Sequence, residues 1–104
     1  MADGHIVLKK LTRGQVRNLA GHDRGTSARA FFEIDRLDQV PEPVIVDVPE
    51  NFRAISASFF QGMFSESVRA LGGALAFFEH YRFDAPAHIR TKLAEYAEQS
   101  QRTH

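Results

Sequence analysis

A small single-domain α/β protein is what this sequence predicts, with a mixed β-sheet and helices packed mainly on one face. Three observations carry the expectation. Val44-Ile45-Val46-Asp47-Val48 is a β-branched run whose Val44, Val46 and Val48 fall on one side and Ile45 and Asp47 on the other, so a single face is fully apolar. An amphipathic run follows a short polar break and stops at Gly72-Gly73, a left-handed helix terminus. Strand-like and helix-like stretches then alternate in the order ββαβαβα, which calls for parallel pairing with right-handed crossovers.

Taken in order, His5–Leu11 reads as a first strand and Thr12-Arg13-Gly14 as a turn. Gln15–Leu19 is then a short second strand that closes a hairpin. Gly21–Gly25 is loop. Thr26 or Ser27 caps a helix that runs to Leu37, with Ala30, Phe31, Ile34 and Leu37 on one face and Phe32 off it. Val40-Pro41-Glu42-Pro43 ends that helix, because proline lacks an N–H and restricts the residue before it. After the Val44–Val48 strand the next helix has two competing starts. Ser56 as N-cap puts Ile55 and Phe60 in a hydrophobic staple, whereas Ser58 as N-cap puts Gln61 in a capping box, and Ser58 is favoured because that pair satisfies two backbone donors. From either start Phe60, Met63, Phe64, Ser67, Val68 and Leu71 form the buried face. Ala74–Phe78 is expected as the last strand. Asp84 or Ala85 caps a final helix with Pro86 in its first turn and Ile89, Leu93, Tyr96 and Ala97 inward. Residues 1–4 and 101–104 are expected to fray.

Composition narrows the function. The chain has 104 residues and 43% apolar content including nine Phe, enough for one core without a staple. Cysteine is absent, so disulfides and thiolate chemistry are excluded, and a reducing cytoplasm is the expected compartment. No run has the length of a membrane span, and the N-terminus lacks a signal-peptide layout. Thirteen basic and thirteen acidic residues cancel, which argues against a dedicated nucleic-acid binder. The charges are segregated, however. Residues 1–30 carry Lys9, Lys10, Arg13, Arg17, Arg24 and Arg29, while residues 33–50 carry Glu33, Asp35, Asp38, Glu42, Asp47 and Glu50. Such polarity steers association with a charged partner.

Around the second helix the pattern resembles the STAS-like family, a domain of unknown function related to the STAS domains of bacterial anti-sigma-factor antagonists. Arg24-Gly25 before the first helix, a strand ending at Asp47 and the helix start Ile55-Ser56-Ala57-Ser58-Phe59 carry the likeness. The resemblance implies a mixed sheet with helices on one side, no catalysis and no cofactor, and a regulatory role in partner switching with a histidine-kinase-like ATPase or anti-sigma-type regulator. In the antagonists a serine at this helix start is phosphorylated. Here that position is Ala57, and the flanking Ser56 and Ser58 are the candidate phosphoacceptors.

The residues themselves offer two candidate sites. Ser58, Gly62, Ser65 and Arg69 share one stripe at about 100° per residue, opposite the buried face, with Phe59 beside it. Gly62 costs about 1 kcal/mol relative to alanine in an exposed helix, so a flat stripe for a protein partner is the functional reading. Together with Ser56 these residues form the expected partner-binding face. Arg24-Gly25-Thr26-Ser27 at a helix start is the candidate anion site, and a nucleotide or small-ligand sensor is the alternative function built on it. The five histidines lack metal-ligand spacing, and only His80 and His88 with Glu79 and Asp84 cluster around a turn. No metal and no catalytic residue is assigned.

Overall fold

The computed structural model describes residues 4–11 and 18–102. The expected turn at Thr12-Arg13-Gly14 and the beginning of the second strand lie outside them. Within them the chain is an α/β structure with five strands: β1 (His5–Val7), β2 (Asn18–Leu19), β3 (Val44–Asp47), β4 (Ala54–Ile55) and β5 (Tyr81–Asp84). Its helices are α1 (His22–Phe31), α2 (Ile34–Leu37), α3 (Ala57–Leu71), α4 (Ala74–His80) and α5 (Ala87–Arg102). A 3₁₀ turn over Leu8–Leu11 ends the first strand earlier than expected.

Two sheets form, ordered β1-β3-β5 and β2-β4, and every pairing is parallel. The expected hairpin is therefore corrected. β1 pairs with β3, aligning Ile6 with Val46, and β2 pairs with β4, aligning Leu19 with Ile55. Each strand finds a partner brought in by an intervening helix, not by a local turn. Ile6, Val44, Val46 and Tyr81 are buried on the helix-covered face of the larger sheet, while Ile45 and Arg82 are exposed on the other. The expectation of helices on one face matches this alternation.

The first helix departs from its expected bounds. It begins at His22 after Gly21, whose φ of 98° suits glycine, and Thr26 Oγ1 bonds His22 O inside the helix instead of capping it. It breaks at Glu33, in the left-handed region at φ 54° and ψ 50°, before α2 resumes. That break rotates the following turn. Phe31, expected inward, is 61% exposed, whereas Phe32, expected elsewhere, packs partly buried against the core.

Ala74–Phe78 is also corrected, from strand to helix. Gly73 at φ 128° starts the turn, Phe77 N bonds Gly73 O at 2.9 Å, and Ala74-Leu75-Ala76 are good helix formers. The strand comes one step later, at Tyr81–Asp84. At the chain's end α5 continues to Arg102, and Gln101 Oε1 accepts from Ala74 N at 2.7 Å, so residues 101–102 are held, not frayed. Gly4 is likewise tied, its carbonyl accepting from Ile45 N at 2.7 Å. Pro86 O accepts from Ile89 N and Arg90 N, both at 3.0 Å, which places Pro86 just ahead of α5.

Candidate functional site

α3 is the element on which the candidate residues meet. Its N-cap is Ser56, not Ser58: the Ser56 hydroxyl accepts from Phe59 N at 3.1 Å. Ser56 N donates to Leu19 O at 2.8 Å, and Ser56 O accepts from Phe60 N at 3.1 Å. Ile55 is buried as part of β4, so the residue before the helix is fixed in the core and the staple start prevails over the box. Ser58 is exposed in the first turn, its Oγ 3.1 Å from that of Ser56.

The buried face is the expected one from Phe60 to Val68, with Leu71 only half-buried, and it is enlarged by Phe59, which is 2% exposed. Phe59 is a core residue and offers no anchor to a visitor. Gly62 is corrected as well. A Cβ there would collide with His22 O and reach 2.9 Å from Thr26 N, because α1 crosses α3 at this point. The reciprocal contact is made by Gly25, whose Cβ would strike Phe59 O and lie 2.9 Å from Met63 N. Small residues at both positions let the two backbones touch.

This crossing brings the two sequence-derived sites together and changes both. Arg24-Gly25-Thr26-Ser27 lies within α1, with Gly25 N bonded to Gly21 O at 3.1 Å. Gly25 serves helix packing, and the four residues do not form a phosphate-cradling loop. Arg24, Thr26 and Ser27 are exposed beside the crossing. On α3, Ser58, Gln61 and Arg69 remain exposed and Ser65 half-buried, its hydroxyl donating to Gln61 O at 2.6 Å. These four lie within about 80° of one another at the helical repeat. Gln61 thus takes the place of Gly62 in the accessible stripe. Its signal was present in the helical wheel, but choosing between it and Gly62 needed the position of α1.

A second group was not legible as a unit. The Arg29 guanidinium, 11% exposed, donates through Nη1 to Met63 O at 2.8 Å and Ser67 Oγ at 2.9 Å. Through Nη2 it reaches Asp35 Oδ1 at 2.6 Å and Asp38 Oδ2 at 3.1 Å. Asp38, 5% exposed, accepts on its other oxygen from the Tyr81 hydroxyl at 2.5 Å. Burial, and then the Asp38 carboxylate, push the Tyr81 hydroxyl far above the usual tyrosine range, so it stays a neutral donor. His80 Nε2 donates to Leu37 O at 2.8 Å alongside. The cluster ties α1, the end of α2, α3 and β5 together. Its groups satisfy one another inside the fold, which gives it the character of a lock.

Among the described residues no group of three His, Asp or Glu side chains is placed to hold a metal, and no helix is long and apolar enough to cross a membrane. The chain matches no family model, no curated protein and no solved structure.

Proposed function

We propose that this chain is a non-catalytic regulatory module of STAS-like type that docks a protein partner on the accessible stripe of exposed Ser58, Gln61 and Arg69 with half-buried Ser65 among them. The observation that carries the reading is the division of labour at the helix start. Ser56 is occupied with the cap, while Ser58 stands exposed in the first turn of a helix packed against α1 and α5. A polar stripe on a fixed helix is a suitable docking surface, because binding orders little that is not already ordered.

Ser58 is then the phosphoacceptor of choice. A phosphate there adds about −1.5 to −2 charges beside free backbone N–H groups at the amino end of α3, where negative charge is tolerated. It alters the field a partner meets and leaves the helix intact, whereas modifying Ser56 removes the cap. The partner class is a histidine-kinase-like ATPase or anti-sigma-type regulator, and the cysteine-free composition suits a cytoplasmic setting.

Capture from extract of the native cell identifies the partner, and calorimetry then decides. Ser58→Asp and Arg69→Glu are expected to weaken binding at least about ten-fold, or about 1.4 kcal/mol, with the melting temperature unchanged. Wild-type affinity in both variants overturns the proposal.

A further inference from the structure

A second surface lies away from α3. Beside β5 a cleft of about 310 Å³ is lined by Phe78 of α4, Tyr81, Arg82 and Phe83 of β5, and Arg90, Leu93 and Ala94 of α5. Consecutive residues of β5 take part, which places the cleft along the strand's edge. β5 is the last strand of its sheet, and among the described residues no strand pairs with its outer side.

The register says which backbone groups are bare. Val48 N donates to Asp84 O at 2.9 Å, so Asp84, and Arg82 two residues earlier, direct their polar groups toward β3. Phe83 therefore turns its N–H and C=O the other way, to the open edge. Edge groups of this kind are a template for an incoming strand. Beside them the cleft offers an apolar floor from Phe78, Leu93 and Ala94, wide enough for one large side chain.

Charge selects the visitor. Arg82 and Arg90 are both exposed at the rim, and neither forms an ion pair within the described chain. Arg82 belongs to the open face of the sheet and Arg90 to the helix side. An added strand alternates its side chains between those two sides. We propose that the β5 edge binds an extended acidic segment of a partner protein by strand addition, with an apolar residue seated in the cleft and a neighbouring carboxylate on Arg82. Main-chain bonds to Phe83 provide register and Arg82 provides selectivity, a known division in strand-addition recognition. Charged rims also discourage indiscriminate edge pairing, and here they exclude basic strands while admitting acidic ones.

The test uses the full chain and a fluorescein-labelled peptide of alternating aspartate and leucine, followed by anisotropy. Binding is expected, with none for the same peptide carrying lysine in place of aspartate. Arg82→Glu, a surface change on the face that receives the carboxylates, should weaken it at least about ten-fold. N-methylation of alternate peptide nitrogens leaves the protein untouched and should abolish binding by removing edge donors. Equal affinity for the N-methylated peptide, displacement by octanoate as effective as by unlabelled peptide, or no binding at all would each overturn strand addition at this edge.

Discussion

Gly25 and Gly62 meet backbone to backbone where α1 crosses α3, each occupying the place where the other helix's main chain would strike a Cβ. The obstruction on both sides is a carbonyl oxygen and amide nitrogens, not the end of a flexible side chain. Alanine at either position gains up to about 1 kcal/mol of helix propensity over glycine. It also forces two packed helices apart, and overpacking of this kind costs about 1–3 kcal/mol or more. We expect Gly25→Ala and Gly62→Ala each to lose stability, with melting temperature falling by about 5–15 °C. Calorimetric melting of the two variants checks this, and a rise in either would mean the crossing is looser than described.

Arg29 carries the next prediction. Asp35 is 84% exposed, so its bond to Arg29 contributes little, whereas Asp38 is buried and depends on the guanidinium for neutralisation. Arg29→Ala leaves that carboxylate buried without its cation, at a cost of about 3–5 kcal/mol. Arg29→Met together with Asp38→Asn removes both charges and should cost clearly less than the sum of the two single changes. Urea denaturation of Arg29→Met, Asp38→Asn and the double variant measures the coupling, and Arg29→Ala is measured beside them.

Tyr81 makes the same cluster sensitive to alkali. Its hydroxyl is held above the range in which an unfolded tyrosine ionises, about 10. Above that pH the folded chain holds a proton that the unfolded chain has released, so unfolding is favoured as pH rises. The contribution of this group is intact below pH of about 10 and declines above it. Tyr81→Phe should therefore show a shallower loss of stability between pH of about 10 and 12 than the wild type. Identical slopes would place the hydroxyl in contact with solvent.

How much of this was legible follows from the range of each interaction. Val44, Val46 and Val48, and the inward positions of α3 from Phe60 to Val68, were readable because alternation and helical repeat are local signals. The Gly72 stop was readable for the same reason. Ala74–Phe78 was misread because a short apolar run satisfies strand and helix patterns alike, and Gly73's conformation decides between them. The hairpin was misread because Leu19 pairs with Ile55, a partner that no nearby residue announces. On α3 the exposure of Ser58 and Arg69 is legible from the wheel, but the cover that α1 places over Gly62 is not. Arg29 with Asp38 was missed since their spacing becomes a contact only after the chain turns at Glu33.

The two serines at the α3 start should separate cleanly in stability. Ser56 satisfies Phe59 N, which no other side chain reaches, so Ser56→Ala should cost about 1 kcal/mol. Ser58→Ala removes an exposed hydroxyl in contact with Ser56 Oγ and should stay within about 0.5 kcal/mol of wild type. Chemical denaturation with a common slope distinguishes them. The reverse order would restore the capping-box start.

Glu33 offers a change in the opposite direction. It is the non-glycine residue at positive φ among those described, and its exposed side chain reaches Arg36 Nε at 3.3 Å. An exposed pair of this kind contributes little. The left-handed backbone costs a residue with a Cβ about 1 kcal/mol or more, and glycine adopts it freely. Glycine also gives the unfolded chain more freedom, which offsets part of the gain. Asparagine tolerates the left-handed region without that entropic penalty. We therefore expect Glu33→Asn to stabilise the fold by about 0.5–1 kcal/mol, with Glu33→Gly between it and wild type. Thermal denaturation ranks the three, and wild type ranking first would show that the kink between α1 and α2 is held by the glutamate side chain and not tolerated in spite of it.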